Sequence, residues 1–212
     1  MEGALILTAV IAYVGVAFVW PTLRVWRRYG VWPVVFAREA APAQRALGWL
    51  TRGLLVAIVA ASVGRIALGP DPLGIWDPSP SVKLFGWLLF GAGAALTVAA
   101  QLRMGASWRV GIDDRPTVLV SEGVFGLVRN PIFTGLLILL AGYACLMPAW
   151  WSIGLWLATA LGLRIQIAYE ERHLVRLHGR SYVDYAMRVG RLLPLLGRLR
   201  EPLLSIEKHG RS

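Results

Sequence analysis

Five stretches of this chain are too long and too apolar to sit comfortably in water. They run over about Leu5–Leu23, Leu47–Leu68, Val82–Leu102, Ile132–Met147 and Ser152–Ala168. The first and fourth contain no Asp, Glu, Lys or Arg, and the third carries only Lys83, near its start. A hydrocarbon core about 30 Å thick is crossed by roughly 20 apolar helical residues. In lipid every peptide group must find its partner within the protein, so such blocks are read as helices. The fold expected is all-α: a polytopic integral membrane protein of about five transmembrane helices with a cytosolic C-terminal helical cap. Hydrophobic residues make up 57% and charged residues only 16%, below the quarter common in soluble domains.

Charge supports the same reading. The formal net charge is +10, but the basic residues lie between and after the apolar blocks. That placement suits anionic lipid headgroups and the positive-inside rule, not nucleic acid. Cys145 is the single cysteine, so no intramolecular disulfide can form. His173, His178 and His209 have no zinc-motif spacing, so no metal is expected. The first block ends in Trp20-Pro21 and then Arg24, Arg27 and Arg28, which reads as a retained anchor followed by a basic loop. If the loops around Asp71 and Pro148 face outward, the outer side holds only Arg65 and Lys83. The N-terminus is then outside and the C-terminus cytosolic, as in a bacterial inner membrane protein.

Pro148-Ala149-Trp150-Trp151 makes a tight turn between the fourth and fifth blocks. A short turn forces antiparallel neighbours, so the far ends of these two helices must meet at the cytosolic interface. Arg129-Asn130-Pro131 and Arg164 through Glu171 lie there. Buried carboxylates are costly unless paired or hydrogen-bonded. Arg129 with Glu170 and Glu171 can hold a zwitterionic ligand such as S-adenosylmethionine, the arginine taking its carboxylate and a glutamate its ammonium. Ordinary interfacial ion pairs, worth about 0–1 kcal/mol when exposed, are the simpler alternative. Pro131 suits the first helical position, and Asn130 either caps that helix or offers its amide to a ligand. Gly123 and Gly126 permit close backbone approach or a plain turn. Phe133 reads as packing, and Gly135 as a close contact with a helix or a ligand. Trp108 is an interface anchor or a substrate contact, and Arg109 can meet an anionic headgroup. After Ala168 the chain becomes amphipathic, with Gly179 ending or bending a helix. Tyr182 and Tyr185 either reach over the site or anchor this segment, and Arg191 can close the site from the tail.

The ordered set Leu119-Val120, Gly123, Arg129-Asn130-Pro131-Ile132-Phe133-Thr134-Gly135, a helical hairpin, Glu170-Glu171, Leu174, Gly179, Tyr182, Tyr185, Arg191 and Pro194 resembles the isoprenylcysteine carboxyl methyltransferase family and the related phospholipid methyltransferases. Asn130 stands where that family has His, and Phe133 where it has Tyr. The resemblance covers about 102–194 and divides the chain into N-terminal helices (1–101) and a catalytic core (102–212). It implies methyl transfer from S-adenosylmethionine to a lipophilic acceptor arriving from the membrane. Leu119, Val120, Gly123, Arg129, Asn130, Pro131, Gly135, Glu171, Tyr182 and Arg191 would bind the cofactor. Trp108, Arg109, Phe133 and Tyr185 would face the substrate, and Arg129, Glu170 and Glu171 would carry catalysis. A sterol-reductase-like enzyme using NADPH, with Arg172 and Arg176 for its phosphates, and a non-enzymatic membrane scaffold or transporter are the alternatives.

The orientation has a direct test. A reporter active only in the cytosol, fused after Ser212, should be active, and the same reporter fused before Met1 should be silent.

Overall fold

The structure, a computed structural model, describes residues 1–30, 42–105 and 119–199. Helix α1 (Glu2–Val14) passes through a π-helical turn (Gly15–Val19) into α2 (Trp20–Tyr29). Then come α3 (Pro42–Leu68), a 3-10 turn (Asp71–Leu73), α4 (Pro80–Met104), α5 (Val124–Leu127), α6 (Pro131–Leu146), α7 (Trp150–His178) and α8 (Arg180–Arg188). Four helices have the length and hydropathy to cross a bilayer: Glu2–Arg28, Arg45–Leu68, Pro80–Met104 and Trp150–His178. The fifth apolar block is α6. Its 16 residues reach about 24 Å at 1.5 Å per residue, short of the hydrocarbon core. It is sheltered by its neighbours, with Thr134, Leu139, Leu140, Tyr143 and Leu146 buried.

Two boundaries differ from the sequence expectation. Arg24, Arg27 and Arg28 lie in α2 and not in a loop. Pro21 and Val25 are buried one turn apart, and that stripe keeps the helix going until Gly30 adopts φ 67°. Helix α7 likewise continues past Ala168 to His178, where Gly179 turns the chain at φ 56°. The carboxylates Glu170 and Glu171 are therefore on a rigid helix, and α8 begins immediately after the bend.

The α4–α6 pair is the structural spine. Glycines on each helix face backbone on the other. A Cβ on Gly93 would lie 2.5 Å from the Leu139 nitrogen, one on Gly142 2.5 Å from the Phe90 nitrogen, and one on Gly135 2.5 Å from Thr97 Oγ1. Gly86 meets Cys145 and Leu146. The pairs 86/145, 93/139 and 97/135 describe an antiparallel register that puts the end of α4 beside the start of α6. At the opposite end of the bundle, aromatic and charged groups fasten the connections. Trp151 Nε1 donates to the Leu73 carbonyl at 2.8 Å, and the Trp76 N–H donates to the Pro148 carbonyl at 2.9 Å. Arg65 pairs with Glu2 at 2.9 Å, and Lys83 reaches the same carboxylate at 3.3 Å. Trp156 Nε1 donates to the Leu137 carbonyl at 2.9 Å, tying α7 to α6.

This spine predicts where bulk is not tolerated. Gly93→Val or Gly142→Val should lower the unfolding temperature in detergent, by the equivalent of about 1–3 kcal/mol or more. Gly91→Ala, whose Cβ would meet nothing within 4 Å, should stay within about 0.5 kcal/mol of wild type.

Candidate functional site

At the end of the bundle away from Glu2, three segments converge on one buried guanidinium. Arg129, 5% exposed, directly precedes α6 at Asn130-Pro131. All five of its N–H groups are taken by protein acceptors. Nε and Nη2 donate to Glu171 Oε1 at 3.2 and 2.6 Å. Nη1 donates to the Ala186 and Val189 carbonyls at 2.7 and 2.5 Å, and Nη2 also donates to the Gly197 carbonyl at 3.0 Å. An arginine has five donors in a fixed fork and no acceptor, so this one is saturated. The open guanidinium expected from the sequence is instead an internal fastener joining α7, α8 and the tail.

Glu171 is held from a second side. Arg191 donates Nε to Oε1 at 3.1 Å and Nη2 to Oε2 at 2.5 Å, a two-bond fork. The carboxylate thus sits between two arginines, one 1% exposed and the other 35% exposed along the side chain. Its Oε1 accepts three N–H bonds and its Oε2 one, so Oε2 keeps capacity for a further donor. Glu170, a residue earlier on α7, is half-buried and accepts from Gln166 Nε2 at 3.0 Å.

The tail is fixed by main-chain pairing. The N–H groups of Arg129 and Asn130 donate to the carbonyls of Gly190 and Arg191 at 2.8 and 3.1 Å, a short parallel pairing centred on Val128 and Gly190. Gly190 is required there, because a Cβ would lie 2.7 Å from the Leu195 nitrogen and 2.9 Å from that of Leu196. Asn130 stands at the N-cap of α6 without a side-chain cap bond. Its amide donates to the Arg191 carbonyl at 3.2 Å, so it ties the tail to the start of α6 and does not cap the helix. Thr134 Oγ1 adds a bond to the Leu192 carbonyl at 2.8 Å. The sequence reading missed Thr134, Gly190 and the carbonyls of Ala186, Val189 and Gly197. Backbone acceptors have no residue-type signature; only Gly190, placed before Arg191, offered one.

The remaining expected residues fall into three groups. Tyr182 and Tyr185 are 2% and 5% exposed, with rings 6.0 Å apart. Tyr185 donates to the Phe125 carbonyl at 2.7 Å, so it braces α5 and does not present its hydroxyl to a substrate. Leu119 packs against this pair. Val120 and Phe133 are half-buried. Pro131 and Gly135 are buried on the α6 face toward α4, and Gly135 takes the helix contact. Gly123 has φ 62°, and a Cβ on it would approach Arg103 Nε to 3.2 Å. Trp108 and Arg109 lie outside the described residues. No cluster of His, Cys, Asp and Glu able to hold a metal occurs among the described residues.

Burial pushes the Tyr185 phenol up to about 12, with Arg129 pulling weakly the other way. Tyr182 is raised too, by burial first and by the Glu171 carboxylate second. A raised folded-state phenol favours the fold fully below the ordinary value near 10 and loses that contribution as pH climbs toward about 12. Detergent-solubilised protein should therefore lose thermal stability across that interval, and Tyr185→Phe should flatten the loss. Removing one partner of a buried ion pair strands the other, so Glu171→Ala should cost about 3–5 kcal/mol. Glu171→Gln should be milder, because it leaves acceptors for some of the donors.

Comparisons with known proteins come to the same region. Residues 82–181 match the phospholipid methyltransferase family. No curated protein sequence matches the chain. Among solved structures, the fold resembles the eukaryotic intramembrane Ras methyltransferase ICMT (isoprenylcysteine carboxyl methyltransferase), with TM-score 0.57 and 17% identity over 89% of this chain and 67% of that one. The family match begins within α4 and so includes the spine as well as the hairpin. The chain is an integral membrane protein with an isoprenylcysteine carboxyl methyltransferase-like fold, and its residues 82–181 are similar to the phospholipid methyltransferase family.

Proposed function

We propose that the chain is a membrane methyltransferase that uses S-adenosylmethionine to methylate a lipophilic acceptor at the cytosolic interface. The observation that carries this reading is the Arg129–Glu171–Arg191 knot, which ties the start of α6 and the end of α7, both within the family-matched residues 82–181, to the tail that follows them.

The residues present fit an amino acid moiety of opposite charges at close range. Arg191 is partly exposed and suits a carboxylate. Glu171 Oε2, with capacity left beyond its bond from Arg191, suits an ammonium, and Glu170 lies next to it in sequence. In this reading Arg129 is a positioning residue: it fixes Glu171 and the tail without touching the ligand. S-adenosylmethionine supplies a methyl group already activated on a sulfonium. The chain's task is then to bind, align and exclude water, which can provide much of the rate gain. A carboxylate acceptor needs no proton removed. For a thiol or amine acceptor a base is required. Glu170 is the better placed of the two glutamates, since its bond comes from a neutral amide while Glu171 is held by two guanidinium groups.

Calorimetry in detergent tests the reading. S-adenosylhomocysteine should bind with a Kd on the order of micromolar, about −8 kcal/mol, and NADPH should not bind. Arg191→Gln should weaken that binding while leaving the fold intact. Arg129→Lys, with three donors where five are used, should lower thermal stability as well as affinity. Tight NADPH binding with no response to S-adenosylhomocysteine would favour the reductase alternative.

A further inference from the structure

After α8 the chain makes a tight turn that carries its apolar side chains outward. From Gly190 to Gly197 it reads Gly-Arg-Leu-Leu-Pro-Leu-Leu-Gly. The Arg191 N–H donates to the Leu196 carbonyl at 2.7 Å, and the Leu196 N–H donates to the Leu193 carbonyl at 3.2 Å. Leu193, Leu195 and Leu196 are 55%, 66% and 62% exposed. Among the described residues, Leu195 is the non-glycine residue with positive φ, at 68°. A leucine is disfavoured in that region, so the turn keeps a large apolar side chain where a glycine would be easier. Little of this apolar surface enters the protein's own core.

Depth in the bundle decides what surrounds it. On α4, residues 84–102 contain no Asp, Glu, Lys or Arg, and Lys83 and Arg103 bracket them. From Lys83 to Arg103 is about 30 Å at 1.5 Å per residue, the thickness of a hydrocarbon core. Near the Lys83 end, Trp76 and Trp150 meet edge to face, as aromatics do at a membrane–water interface. The α4–α6 contacts set 93 beside 139 and 97 beside 135, so Thr134 is level with position 98, about 7 Å inside Arg103. The Arg129 N–H meets the Gly190 carbonyl, and Thr134 Oγ1 meets the Leu192 carbonyl. The tail therefore descends toward the bilayer centre from Gly190 to Leu192, and it returns to Leu196 opposite Arg191. Its leucines project at the depth of acyl chains.

We propose that the 192–196 turn is inserted in the hydrocarbon of the leaflet at the Arg129 end, its leucines covered by acyl chains, and that this seating holds Arg191 in place. Arg191 hangs on the turn through its own N–H and reaches Glu171 with its guanidinium fork. The insertion rests on depth and exposure alone and stands apart from the methyl-transfer reading.

Spin labels on the full chain in phosphatidylcholine nanodiscs test the insertion. Leu193→Cys and Leu196→Cys, each with Cys145→Ser, should give labels that collide with oxygen, which concentrates in hydrocarbon, several-fold more than with a water-soluble nickel chelate. A label at Ser181→Cys, exposed on α8, should show the reverse preference. Preference for the chelate at 193 and 196 would overturn the proposal. Weak collision with both reagents would mean that protein, such as a second copy, covers the turn, and would overturn it too. If the labelled variants do not fold, the unaltered chain decides. Hydroxyl radicals generated in water should then oxidise Leu193, Leu195 and Leu196 far less than in the urea-unfolded chain, and oxidation in proportion to their 55–66% exposure refutes insertion. Trypsin reads the seating of Arg191. The triple variant Leu193→Ser, Leu195→Ser, Leu196→Ser should be cut after Arg191 faster than wild type, with cleavage after Arg180 unchanged. Equal rates after Arg191 refute the seating.

Discussion

A buried guanidinium with five occupied donors holds one end of this helix bundle together. Arg129 lies just ahead of a short helix that could not position anything distant by itself. Its donors reach Glu171 on α7, two carbonyls at the end of α8 and one in the tail. Glu171 is 6% exposed, so leaving its carboxylate short of donors would be costly, and that cost makes the convergence cooperative. Glu171 recruits Arg191 in turn, so a single carboxylate joins the two arginines. The desolvation that makes a lone buried charge so unfavourable is here offset by a network in which each guanidinium–carboxylate contact is also a hydrogen bond.

That network works only because the helices beneath it are in register. The glycine contacts of α4 and α6 allow backbone to approach backbone, and no larger residue fits at Gly93, Gly135 or Gly142. Lipid tails provide little hydrophobic force between helices, so close van der Waals packing of this type carries much of the association. It fixes the depth of Pro131, and hence of Arg129. The ties from Trp151 to Leu73 and from Trp156 to Leu137 fix α7 against the same pair. Glu171 then arrives at the depth of Arg129 as a result of packing many residues away.

Much of this was legible in the sequence. Charge-poor apolar blocks marked the helices, Pro148-Ala149-Trp150-Trp151 marked the hairpin, and the hairpin required Arg129 and the glutamates to be near one another. Gly179 was readable as a bend because a glycine between two amphipathic segments is the cheapest way to turn a chain. Less legible was the extent of α2 and α7. Arginines suggested a loop after Leu23, but helix continuation was decided by the buried stripe of Pro21 and Val25. The bonding within the site was also less legible. Asn130 and Tyr185 looked available to ligands, yet both donate to backbone carbonyls, and every residue carries a carbonyl.

The sequence by itself determined that the chain enters a membrane, where its helices lie, and that a basic residue and two acids meet at one end. These follow from local composition, from helix geometry and from the shortness of one turn. Only the tertiary structure decided which charged groups are spent on one another and which stay open. That choice depends on donor–acceptor distances of about 3 Å between segments separated by tens of residues. Such distances are set by interhelical register and by how the tail folds back at Gly190, neither of which residue identity alone specifies.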